Sequence, residues 1–171
     1  MSLSDEIKAK ALQLGFDACG IAKAELLADD ARTLQTWLNK GYHANMSYLE
    51  NHFDKRTNPQ LLVHGAQSVV VVLLNYFPAQ LQPESAPQIA KYAYGKDYHF
   101  IIKEKLKQLQ AFIEEQAPNE SMVFCDSAPV LERRWAQRAG LGWIGKSGLL
   151  IHPTLGSYCL IGELITTLPL D

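Results

Sequence analysis

VLERRWAQRAGLGWIGKSGLLIHP, residues 130–153, holds the pattern G-x-x-x-x-G-K-S at positions 140–147. In a phosphate-binding loop that pattern leaves a strand and opens a helix, so that backbone N–H groups and a helix N-terminus converge on phosphate. Here the order is reversed. Residues 130–139 are helical in composition, with Leu131, Trp135 and Ala139 four apart on one face and Gly140 as a C-terminal stop. After Ser147 the run GLLIHP is apolar, is closed by Pro153, and reads as a strand. Helix, glycine loop, strand is not the layout of a nucleoside triphosphatase. The clustered Gly140, Gly142, Gly145 and Gly148 instead let backbone come close to a bulky or flat partner, with Lys146 and Ser147 as donors at the tip.

Outward from this loop, helical and strand patterns alternate. Residues 5–14 have helical spacing with Ser4 as cap and Gly15 as stop, and DACGIA (17–22) reads as a strand. A second helix spans 30–40, ended by Gly41. Residues 42–60 are irregular, polar and aromatic, the kind of loop that carries sites. SVVVVLLNY (68–76) is apolar on both faces and predicts a central strand. Pro78, Pro83 and Pro87 mark a long exposed connection, after which 89–94 predicts a short strand. Residues 98–116 predict a helix with Ile102, Leu106, Leu109 and Ile113 inward. Residues 122–125 predict a strand ending at Asp126, and 148–167 a hairpin turning at 153–157. The expected fold is α/β (α+β), a mixed sheet layered with helices, with residues 1–171 forming one domain.

Bulk properties narrow the function. A chain of 171 residues, 47% hydrophobic, can bury one real core. Sixteen basic against eighteen acidic residues, net −2, give no global nucleic-acid footprint, so any such contact is local. Cys19, Cys125 and Cys159 are widely spaced in apolar runs, as buried thiols of a reducing cytosol are. There is no C-x-x-C to hold a cluster or structural zinc. No basic-then-apolar leader or membrane-length apolar run occurs, so a cytoplasmic protein without membrane or DNA partners is expected.

Asp126, where a strand stops and a helix is about to start, is the first candidate for catalysis. The plainer alternative is that Asp126 or Ser127 caps the following helix. A helix N-terminus with Arg133 and Arg134 nearby would favour a carboxylate, whereas a proton donor has to carry its proton; burial beneath a large ligand would reverse that balance. Asp97-Tyr98-His99 begins the D-x-H-x-x-G pattern of one class of cobalamin proteins, but Ile102 breaks it and His99 reads as a first-turn helix residue. His43, His52, His64 and His152 have no mutual metal-ligand spacing. Arg56 is suited to a carboxylate, phosphate or amide, or is simply solvated. Arg133, Arg134, Arg138 and Lys146 outnumber Asp126 and Glu132 between 126 and 148, which predicts a local anion-facing patch.

DSAPVLERRWAQRAGLGWIGKSGLLI (126–151) followed by GSYCLIGELITTLPL (156–170) closely resembles the N-terminal catalytic domain of epoxyqueuosine reductase, the enzyme of the last step of queuosine formation in tRNA. KRTNPQLLVHGAQSVVVVLLNY (55–76) and KYAYGKDYHFIIKEKL (91–106) resemble the same family. The resemblance implies a cobalamin-dependent reductive dehydration, in which low-valent cobalt delivers electrons and Asp126 protonates the departing epoxide oxygen. It also implies cofactor contacts at Arg56, Ala90, Asp126, Arg133, Gly145, Lys146 and Ser147, no protein lower ligand to cobalt, and tRNA as partner. By the same resemblance the family continues past T-x-L-P-L into a segment whose cysteines hold two [4Fe–4S] clusters. This chain is therefore expected to be a fragment without its own route for reducing cobalt. The alternative is a cobalamin-binding or processing module without a tRNA substrate, which would need no acid at Asp126.

Overall fold

The computed structural model describes residues 2–171. The elements run α1 (Leu3–Gln13), β1 (Ala18–Lys23), α2 (Ala28–Asn39), α3 (Phe53–Thr57), β2 (Ser68–Asn75), α4 (Tyr98–Gln116), β3 (Ser121–Phe124), α5 (Glu132–Arg138), β4 (Trp143–Ile144), β5 (Leu150–Ile151) and β6 (Cys159–Thr166). Helices layer on a four-stranded sheet of order β1-β2-β6-β3, as the fold class predicts. Each ladder is antiparallel, however, so the sheet is not mixed.

The period of two in β2 and β6 divides the core. Val70, Val72 and Leu164 face α1 and α4, where Ile102, Leu106, Leu109 and Ile113 present their fully buried stripe; burying each such side chain contributes roughly 1.5–3 kcal/mol. Val69, Val71, Leu73 and Ile165 face the other way, against Trp135 and Ala136 of α5. Glu163 shares that second face, in register with Val71 and Phe124.

Several local expectations are corrected. The cap of α1 is Ser2, whose hydroxyl accepts from the Asp5 N–H while Asp5 accepts from the Ser2 N–H; Ser4 is buried instead and bonds Asp171. The 42–60 region carries α3 and two 3₁₀ turns, so Arg56 sits on a helix. Residues 91–93 form a 3₁₀ turn rather than a strand. Of the hairpin expected over 148–167 only the turn forms, closed by an antiparallel bridge between His152 and Gly156. β5 pairs with β4 in a small ribbon, while β6 leaves to run between β2 and β3, where its apolar residues are buried on both faces.

Candidate active site

Two residues after β3, Asp126 has φ 58°, the left-handed region that an aspartate tolerates better than a bulky residue. Its N–H donates to Glu132 Oε1 at 2.6 Å. Helix α5 begins after Leu131 with no side-chain cap, so Asp126 is not a cap; Ser127 accepts from Lys103 Nζ at 3.0 Å and does not cap either. The Asp126 carboxylate accepts a hydrogen bond from the Tyr98 hydroxyl through Oδ2, and His99 Nε2 lies 3.4 Å from the same oxygen.

Asp97 explains that geometry. It caps α4 by accepting from the His99 N–H, and the same Oδ1 lies 2.7 Å from His99 Nδ1. These bonds from His99 hold the Asp97 carboxyl below the usual carboxylate range, and they aim the far imidazole nitrogen at Asp126. Burial, then the Asp126 bond, pushes the Tyr98 phenol well above its usual range, so Tyr98 remains a donor. Tyr98 and Glu132 are the partners that motif reading missed; their only sequence sign is a place in the first turn of a helix.

Asp126 stands between two cavities. The larger, about 500 Å³, has apolar walls including Leu34, Trp37, Leu49, Val130 and Ile144, with Arg56, Asp126, Glu132, Arg133 and Arg134 among its polar groups. The smaller, about 230 Å³, shares Asp126, Glu132 and Arg133 and is closed by Tyr98, Leu150 and residues of β6. Arg56 Nε is buried without a hydrogen-bond partner. The expected basic patch is thinner than its residue count. Arg134 pairs with Asp30 at 2.6 Å and Arg138 pairs with Glu25, while Arg133 donates to the Gly148 carbonyl.

The structure thus gathers Arg56, Asp126 and Arg133 at one cavity. Gly145, Lys146 and Ser147 form the turn of the β4–β5 ribbon, whose flanking Ile144 and Gly148 line that cavity. Lys146 and Ser147 are exposed. A Cβ on Gly145 would come within 2.6 Å of Ile151 Cδ1, so ribbon packing alone accounts for this glycine. Ala90 is exposed at the start of the 91–93 turn, outside both cavity linings.

Beneath the Asp126 loop lie two further carboxyls. Burial raises Glu132 to about 7, with the Asp126 N–H bond opposing the rise. Glu163 is fully buried, neither of its oxygens has a partner, and burial followed by the charge of Glu132 pushes it well above the carboxylate range. Burial likewise raises the Cys19 and Cys125 thiols to about 12, too high for either to act as a thiolate. Among the described residues no group of three or more His, Cys, Asp or Glu is placed to hold a metal ion.

A family model described as Epoxyqueuosine reductase QueG, DUF1730, matches residues 56–127, which include Arg56, Tyr98, His99 and Asp126. The curated epoxyqueuosine reductase of Cyclobacterium marinum is 54% identical over 167 residues, covering 96% of this chain and 54% of the relative. The chain is similar to the epoxyqueuosine reductases over nearly its whole length. It spans about half the length of the curated relatives it matches. Among solved structures, the epoxyqueuosine reductase of Streptococcus thermophilus superposes with a TM-score of 0.91 at 27% identity, covering all of this chain and 47% of that one. Another, solved with an epoxyqueuosine-modified tRNA-Tyr stem loop, gives 0.88 at 28% identity, covering 99% of this chain and 46% of that one. The Bacillus subtilis enzyme is known with its aspartate catalytic loop swung out of the active site, at TM-score 0.86 and 27% identity. A reductive dehalogenase shares the fold at TM-score 0.63 and 18% identity.

Proposed function

We propose that this chain forms the epoxide-reducing centre of a cytoplasmic epoxyqueuosine reductase acting on tRNA, with cobalamin as cofactor and Asp126 as proton donor. The observation that carries this reading is the position of Asp126 between two cavities, its carboxyl oriented by Tyr98 and His99.

The residues suit a corrinoid. The larger cavity offers Leu34, Trp37, Val130 and Ile144 to a flat apolar ring, and the unpartnered Arg56 Nε to a peripheral amide or phosphate oxygen. Arg56, Arg133 and the 145–147 turn would hold the cofactor; Ala90 lies off this surface. Bound cobalamin supplies strongly reducing electrons at the substrate carbons.

The chain's own task is proton delivery. Removing an epoxide oxygen as water consumes two electrons and two protons, breaks both C–O bonds and leaves a C=C bond. Asp126 protonates the departing oxygen, Tyr98 and His99 keep its carboxyl aimed, and its 55% side-chain exposure lets solvent restore the proton. The electrons come from a reductant outside this chain, the role that the resemblance gives to [4Fe–4S] clusters.

A row of rings supports a polynucleotide substrate. Phe77, Tyr158, Tyr76, Tyr92 and Tyr98 meet edge to face at 5.0, 5.5, 6.5 and 6.1 Å in that order, ending on the bond to Asp126. Lys91 Nζ lies over both Phe77 and Tyr158, and Phe77, Tyr92 and Tyr158 are exposed. Exposed rings beside a lysine suit unstacked bases and their phosphates. The test is conversion of an epoxyqueuosine-bearing tRNA stem loop by the full-length protein with reduced cobalamin. Product formation only with cobalamin supports the reading. Cobalamin binding without conversion would leave a cobalamin-processing module in its place.

A further inference from the structure

Side chains of α4 reach the loop that carries Asp126, Tyr98 at its carboxylate and Lys103 at Ser127, but its backbone has little to hold it. Its backbone bonds from Ser127 N to Cys125 O and from Val130 N to Ala128 O are tight local turns, and Asp126 is exposed. The one bond from Asp126 to a different element of the α5 side is the 2.6 Å contact to Glu132. An acidic first-turn residue ordinarily stabilises its own helix. Glu132 instead reaches back six residues to a backbone N–H outside α5, and it lines both cavities.

We propose that Glu132 is the positioning residue for Asp126, its carboxylate latching the left-handed loop so that the acid stays between the two cavities. This rests on the function proposed above and names what controls that site. The swung-out loop of the Bacillus subtilis enzyme shows that a loop of this kind has a second position. A latch on the peptide N–H, rather than on the side chain, leaves the Asp126 carboxyl free for the substrate.

The groups around Glu132 give the latch a pH response. From α4 come Tyr98 and His99, from the loop Cys125 and Asp126, from β6 Glu163, and from α5 itself Arg133. Asp126 and Glu163 oppose a third negative charge and Arg133 and His99 favour one, but burial outweighs both and brings Glu132 to about 7. Ionised Glu132 makes a charge-assisted bond about twice as strong as a neutral one. Protonation returns it to ordinary strength. The loop is held more firmly above pH 7 than below it.

The test uses the full-length enzyme and the isosteric Glu132→Gln, a neutral acceptor at every pH. After correction for intrinsic exchange, hydrogen-exchange protection of the residue 126 amide should rise about tenfold between pH 6 and 8 in the wild type and stay flat in Glu132→Gln. With a stem-loop substrate, the wild-type kcat profile should contain a transition near pH 7 that Glu132→Gln lacks, with KM little changed. Glu132→Leu, which deletes the acceptor, should lower kcat about tenfold or more in molecules shown by circular dichroism to be folded. A merely structural glutamate would alter the melting temperature without changing the shape of either pH profile. Identical profiles in wild type and Glu132→Gln overturn the latch while the enzyme still turns over. If no full-length protein converts the substrate, the functional reading fails, and the exchange measurement still decides whether Glu132 holds the loop.

Discussion

The two faces of one sheet have been put to different uses. Toward α1 and α4, the middles of β2 and β6 present Val70, Val72 and Leu164, met by a stripe of fully buried leucine and isoleucine. Toward α5 the same strands carry Glu163, without a hydrogen-bond partner, and above it Glu132 and the exposed Asp126. One face spends its area on cohesion. The other gives up part of its packing to bury carboxyl groups beside a cavity, which a fold can bear only when the opposite face is sound.

That contrast can be broken most severely at Asp126. Asp126→Asn keeps the shape and tolerates a positive φ, so melting should be almost unmoved, while single-turnover conversion of the stem loop by the full-length enzyme falls by about 10² to 10⁴. Near-normal conversion would remove the acid from the mechanism. On the packing face, Leu106→Ala should cost about 2–5 kcal/mol in denaturant unfolding and leave turnover per folded molecule unchanged. A large loss of turnover there would mean that the faces are not separable.

Smaller effects sharpen the comparison. Tyr92→Ala should weaken stem-loop binding by about 1–3 kcal/mol, read by titration, and spare conversion of the free nucleoside. Equal losses on both substrates would assign the ring to the catalytic pocket instead. Glu163→Gln tests the buried charge. Because burial raises Glu163 above its ordinary value of 4.5, its contribution to stability is full below that pH and is lost as pH rises through the raised value. Glutamine has no charge to bury. The melting temperature of Glu163→Gln relative to wild type should therefore improve from pH 5 to pH 8, and a pH-independent difference would show that folding does not raise Glu163 above its ordinary value.

The packing face was legible in the sequence because it is periodic: Ile102, Leu106, Leu109 and Ile113 define the inner side of α4, and the apolar run after Ser68 defines a central strand. The helix before the glycine loop and the strand after it were legible as well, whereas β4, inside the expected loop, was not. Strand partners were not, because pairing joins distant segments and leaves no local trace; residues 150–151 pair back onto β4 and release β6 into the sheet. The site was half legible. Asp126, Arg56 and Arg133 stand out by type and setting, whereas Tyr98 and Glu132 resemble ordinary first-turn residues until the fold brings them to Asp126. Arg134 and Arg138 mislead for the converse reason, since their acidic partners Asp30 and Glu25 lie far back in the chain.

The strand order carries a kinetic cost. β6 follows every other strand in the sequence yet lies between β2 and β3, so the sheet is completed by inserting its interior last. Until residues 159–166 arrive, β2 offers the unpaired edge SVVVVLLN, with the composition that recruits other chains. Assembly then waits on loop closure across almost the full span from residue 68 to 166, a non-local pairing of the kind that slows folding.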